Sequence, residues 1–123
     1  MPYNFNPRID RDFLISMYEE DYGYIAEIFS TTIHQLEPEL EVLKQQFAAG
    51  DLEATRRLVH KLKPAFGFVG LRDTEALCQQ FEIASQSATR VEEVSSLFGN
   101  LVVAMGEACS IIKNEIQTLT AYK

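Results

Sequence analysis

The sequence has no tryptophan, two cysteines, two histidines, and 11 lysines and arginines against 18 aspartates and glutamates. Each shortage excludes something. At a net charge of −7 the chain lacks the basic surface that general nucleic-acid binding needs, so no nucleic acid is expected as a partner. No unbroken apolar run approaches the roughly 18 residues of a membrane span, so no membrane is expected either. The start, Met1-Pro2-Tyr3-Asn4-Phe5-Asn6-Pro7, shows no basic stretch followed by an apolar one. No secretory signal is read there, and the cytoplasm is the expected location. Cys78 and Cys109 fall at apolar positions of helical patterns and read as buried thiols. His34 and His60 lie on separate segments without a recognisable set of further ligands, so no metal site is expected. Phosphate-cradling glycine loops and nucleotide motifs are also missing.

With 46% apolar and 24% charged residues over 123 positions, the chain reads as a single globular domain, 1–123, opening on a short arm, 1–9. Almost every segment has helical periodicity. A short helix is predicted from about Asp10 to Tyr18, with Ile9, Phe13, Leu14 and Met17 apolar, and a break at Asp21 to Gly23. A long helix follows, carrying Ile25, Ile28, Phe29, Thr32, Leu36, Leu40, Leu43 and Phe47 on one face. Pro38 removes the backbone bond to the His34 carbonyl and is expected to kink or divide it. Gly50 ends that helix and Asp51 caps a third, running to about Val69, where Gly67 and Gly70 end or bend it. Asp73 or Thr74 starts a fourth. Ser85 to Ala88 reads as a loop, and Thr89-Arg90-Val91-Glu92 as a capping box before a long last helix. Four long amphipathic segments with short connections predict an all-α fold: an antiparallel four-helix bundle with a short additional N-terminal helix. A monomer is expected.

The third helix carries the most informative run, Arg56-Arg57-Leu58-Val59-His60-Lys61-Leu62-Lys63-Pro64-Ala65-Phe66-Gly67-Phe68. Leu52, Thr55, Val59, Leu62 and Phe66 recur at spacings of three and four and form a buried face. His60 falls almost opposite, sharing its stripe with Arg56, Lys63 and Gly67. The pattern predicts an accessible imidazole with cations on neighbouring turns and one turn bare of side chain. An imidazole titrates near neutrality, so its free base is available as a nucleophile. Lys63, one turn along, can stabilise an added phosphoryl group as a point charge.

His60-Lys61-Leu62-Lys63 followed by Gly67, Val69, Gly70 and Leu71 resembles the signature of histidine-containing phosphotransfer domains. Leu77-Cys78-Gln79-Gln80-Phe81-Glu82 resembles the segment that follows it in that family, and Gly50-Asp51 the turn before it. The helix pattern is similar from about Asp10 onward; the specific motif spans Asp51 to Glu82. The resemblance implies that His60 is the phosphoacceptor, attacking through Nε2, and that Lys63 stabilises the phosphoryl group. It implies receiver domains of response regulators, or a hybrid sensor histidine kinase, as partners. It also places the aspartate pocket and its Mg²⁺ on the receiver, so this chain needs no cofactor and no kinase or ATP-binding activity of its own. Arg56, Arg57, Lys61, Pro64, Gly67 and Phe68 are the expected partner-binding residues, with Tyr22 and Tyr24 a further candidate rim. One position departs from the family. Glycine usually follows the motif lysine, and here Pro64 does, exposing the His60 carbonyl.

Blander readings stand beside these. Lys63, Arg56 and Arg57 also read as ordinary helix charges, Gly67 as a helix end, and His34 as plain surface. Pro64 keeps open an alternative in which the chain is a degenerate helical module that binds a receiver or kinase without phosphotransfer. A chemotaxis-type kinase substrate domain shares the His-x-x-Lys core but fits the Phe68-Val69-Gly70-Leu71 ending less well.

Overall fold

The computed structural model describes residues 3–122; Met1, Pro2 and Lys123, counted above in the arm and the domain, lie outside the described residues. Among the described residues five α-helices follow one another: α1 (Arg11–Tyr18), α2 (Tyr22–Ala48), α3 (Leu52–Phe68), α4 (Arg72–Ser87) and α5 (Ser95–Ala121), with a 3₁₀ turn at Val91–Val94. The fold is the all-helical bundle that the periodicity predicts. Among the long helices, α2 packs chiefly on α5 and α3 chiefly on α4. Their apolar stripes meet in one core, in which Phe29, Leu43, Phe66, Phe81, Leu101 and Met105 are wholly buried. Each such side chain contributes about 1.5–3 kcal/mol by leaving water. Phe47 stacks on Phe98 at 3.8 Å between centroids.

The helix ends have identifiable causes. Asp10, Asp21 and Asp51 each accept a bond from the first turn of α1, α2 and α3, at Phe13 N, Tyr24 N and Ala54 N. Gly50 and Gly70 take positive φ of 77° and 75°. They close α2 and α3 in the same way: Gly50 N bonds Phe47 O and Asp51 N bonds Gln46 O, while Gly70 N bonds Gly67 O and Leu71 N bonds Phe66 O. These paired reverse bonds satisfy the last free carbonyls of each helix, which is why glycine stands at both turns.

Several expectations are corrected. Pro38 does not divide α2, which runs unbroken from Tyr22 to Ala48; packing of its apolar face on both sides of the proline outweighs one lost backbone bond. Helix α4 begins at Arg72 and continues through Ser87, so Ser85 belongs to the helix. Its buried hydroxyl bonds the Phe81 carbonyl at 2.6 Å. In the next turn the capping carboxylate is Glu93 rather than Glu92: it accepts from Thr89 N at 2.7 Å and Arg90 N at 2.8 Å. Those bonds hold the Glu93 carboxyl below the usual carboxylate range. Met17 is exposed, although it is counted above among the apolar positions of the first helix.

The arm is part of the core. Tyr3, Phe5 and Ile9 are buried, and a carboxylate that the sequence reading did not single out, Glu115 of α5, anchors them. Glu115 is itself buried; it accepts from the Tyr3 hydroxyl and, at 2.6 Å, from Asn6 N. Burial, reinforced by Glu115, pushes the Tyr3 phenol up to about 12. Tyr22 joins this arm, with Tyr3 and Tyr122 rings at 5.6 and 5.1 Å. Helix α5, with the turn before it, is long and apolar enough to cross a bilayer by length and composition. In the bundle it packs against α2 and α4, as a core helix does.

Candidate phosphotransfer site

Helix α3 buries Thr55, Val59, Leu62 and Phe66 and turns His60 outward, its side chain 73% exposed. Helix α4 runs alongside and places Gln79, Glu82 and Gln86 against the same face. These lie three and four residues apart, so they form one polar stripe. His60, Lys63, Arg56, Arg57, Gln79, Glu82, Ile83 and Gln86 line a cleft of about 340 Å³.

The organising group is Glu82. It is buried, 7% exposed, and its two oxygens have different partners. Oε1 lies 2.5 Å from His60 Nδ1, and Oε2 accepts from Lys63 Nζ at 2.6 Å. Lys63 Nζ also donates to Gln79 Oε1 at 2.7 Å. A carboxylate accepts but does not donate, so a neutral His60 in this contact carries its proton on Nδ1. The lone pair is then on Nε2, which has no hydrogen-bond partner among the described residues. A buried carboxylate also requires compensation, and the ammonium and the imidazole N–H supply it.

The sequence-predicted residues divide into three groups. His60 and Lys63 meet through Glu82, and Lys63 is three-quarters buried in spite of Pro64, through which α3 continues as a helix. The other cations are each engaged. Arg56 bonds Glu53 with two nitrogens, Arg57 pairs with the same carboxylate at 3.8 Å, and Lys61 reaches Glu39 of α2 at 3.0 Å. The patch is therefore largely compensated within the molecule, a feature that a list of cations does not reveal. Finally, Pro64 and Phe68 are exposed and share an apolar hollow of about 280 Å³ with Phe13 and Gly67. Gly67 itself is buried: the Glu75 carboxylate covers it, with Oε2 2.5 Å from where a Cβ would stand. The turn is bare of its own side chain but not empty. Tyr24 is half exposed and packs edge-on against Tyr18, whose hydroxyl bonds the Phe68 carbonyl at 3.1 Å.

Glu82 and Gln79 were not assigned roles from sequence, although both lie in the segment Leu77–Glu82. The available signal was their three-residue spacing on a helix that must pack beside α3. His34 is exposed, with Nδ1 2.8 Å from the Ser30 carbonyl of its own helix. Cys78 and Cys109 are free and buried. Burial, with Glu82 nearby, pushes the Cys78 thiol up to about 12, which removes it as a nucleophile.

The Hpt domain family model matches residues 27–121, and the chain belongs to that family. Among solved structures, the HPT domain of a sensor hybrid histidine kinase from Shewanella has the same fold. It aligns over 94% of this chain and 97% of its own, at a TM-score of 0.77 and 21% identity. No curated protein matches the chain. The protein is a phosphotransfer module of two-component signalling.

Proposed function

We propose that the chain is a phosphocarrier that accepts a phosphoryl group on His60 Nε2 from a receiver-domain aspartate, or from a partner kinase, and passes it to another receiver. The observation that carries this reading is the Glu82 bridge between His60 Nδ1 and Lys63. When Nε2 attacks the acyl phosphate, the aspartate O–P bond breaks, the Nε2–P bond forms, and the aspartate leaves as carboxylate. The imidazole ring becomes cationic while its proton stays on Nδ1. Glu82 is placed to stabilise that charge and hold the ring's orientation. The cation is also what lets the group leave again, because a protonated ring is the better leaving group. Transfer in either direction then needs no acid or base beyond this pair.

Lys63 supplies a charge for the phosphoryl oxygens. Receiver Mg²⁺ and its aspartate pocket belong to the partner, and this chain brings no cofactor. Arg56 and Arg57 line the cleft and Lys61 follows His60 on the side of α2; all three would exchange their internal carboxylates for those of an acidic partner. Pro64, Phe68 and Phe13, with Gly67 in the floor, form the apolar rim of the docking surface. A monomer in the cytoplasm is the expected working form.

The test is transfer of label from a phosphorylated receiver to wild type and to His60→Gln. Label on the wild type alone, stable in alkali and lost in acid, is the expected result. If a broad panel of receivers binds but transfers nothing, the binding-only module suggested by Pro64 replaces this reading.

A further inference from the structure

Gln79 has a place in the cleft that the phosphocarrier reading does not use. Its Oε1 accepts from Lys63 Nζ at 2.7 Å, which fixes the amide at the wall of the His60 cleft that Gln79 helps to line. An amide has two faces of opposite polarity: once the oxygen is committed, the nitrogen still offers two protons. That nitrogen has no partner among the described residues, and the side chain is exposed. Lys63, in turn, commits two of its three protons to Glu82 and Gln79 and lines the same cleft. One cleft is therefore lined by a lysine with one proton uncommitted, an amide nitrogen without a partner and an imidazole whose Nε2 is free. The surrounding guanidinium groups of Arg56 and Arg57 are already held by Glu53.

We propose that Gln79 is a phosphoryl-binding residue, donating from its Nε2 amide to an oxygen of the phosphoryl group on His60 while its carbonyl keeps Lys63 in place. The proposal rests on the phosphocarrier reading and adds a donor to it. The chemical class recognised is a tetrahedral oxyanion, and the uncharged donor has a consequence. A hydrogen bond to the dianion favours it over the monoanion. Gln79 therefore lowers the midpoint at which the phosphoryl group takes up its proton.

The test is a ³¹P NMR titration of the intact chain, phosphorylated chemically with phosphoramidate so that no receiver is needed. In that labelling the P–N bond of the reagent breaks, the Nε2–P bond forms, and ammonia leaves. Wild type, Gln79→Leu, Lys63→Met and the double variant are compared. Circular dichroism follows the fold, and the Gln79 side-chain amide is assigned by its loss in Gln79→Leu. Expected is a higher phosphoryl midpoint in Gln79→Leu, repeated in the Lys63→Met background, and a displaced Gln79 amide resonance on phosphorylation of the wild type. A Gln79 effect that vanishes once Lys63 is Met overturns the proposal, because Gln79 then acts only by positioning the lysine. So does an unchanged midpoint with an unmoved amide resonance. If His60 takes no label from phosphoramidate or from any receiver, the phosphocarrier reading falls and this inference falls with it. Normal labelling without a Gln79 effect removes the inference alone.

Discussion

Replacing Glu82 tests the chemistry more sharply than replacing any residue except His60. Its two contacts, 2.5 Å to His60 Nδ1 and 2.6 Å to Lys63 Nζ, are charge-assisted, and such bonds contribute about 1.5–3 kcal/mol against about 0.5–1.5 for neutral ones. Glu82→Gln keeps a carbonyl for the Nδ1 proton and so keeps the tautomer, but loses the charge that stabilises the cationic ring. With His60 73% exposed, water offsets part of the loss. The remaining difference is about 1.4 kcal/mol, or roughly tenfold in rate. Glu82→Ala removes the orienting group as well and frees Lys63 to turn to solvent; about a hundredfold loss is expected, roughly 2.7 kcal/mol. The assay is single-turnover phosphotransfer from a phosphorylated receiver at saturating receiver, with receiver affinity measured separately. The loss should fall on the transfer step and leave affinity within about twofold. A Glu82→Ala protein that is folded and transfers at the wild-type rate would refute the reasoning.

Further expectations concern the scaffold. The Tyr3 phenol is raised to about 12 from its ordinary 10.0, so the folded state disfavours the phenolate. The stability tied to it is complete below pH 10 and lost as pH climbs from 10 to 12, by about 2–3 kcal/mol; urea titrations at rising pH should show a loss larger by that amount in the wild type than in Tyr3→Phe, where Cys78 and Tyr18, both also raised, still contribute. Gly70→Ala combines a left-handed backbone with a Cβ 3.2 Å from Asp10 N and O, and should cost about 2–3 kcal/mol in urea unfolding. The Cys78 thiol, buried and pushed up to about 12, should resist a thiol reagent until the bundle unfolds; rapid labelling of the native protein at neutral pH would contradict its burial.

The helices were legible because each long segment repeats apolar residues at helical spacing over many turns, and the glycines at 50 and 70 fall where reverse turns need them. Pro38 misled because a local rule about one hydrogen bond was set against an apolar face that continues on both sides. The arm was expected but its burial was not, because Tyr3 and Phe5 belong to no periodic pattern and the arm's anchor, Glu115, lies more than a hundred residues away in sequence. His60 and Lys63 were visible as a spacing within one helix. Glu82 and Gln79 were not assigned because their contacts with His60 and Lys63 depend on how α4 is placed beside α3, a relation that no single-segment pattern contains. The cations around His60 illustrate the same limit: sequence counts Arg56, Arg57 and Lys61 but not the carboxylates of Glu53 and Glu39 that engage them.

The central claim is that Glu82 holds the His60 proton on Nδ1 and leaves Nε2 to carry the phosphoryl group. Long-range ¹H–¹⁵N spectra of the protein, before and after phosphorylation by a receiver, read this directly. The account predicts a neutral His60 protonated at Nδ1 in the resting protein and phosphorus bonded to Nε2 afterwards. A resting ring protonated at Nε2, or phosphorus on Nδ1 or on any other residue, would contradict it.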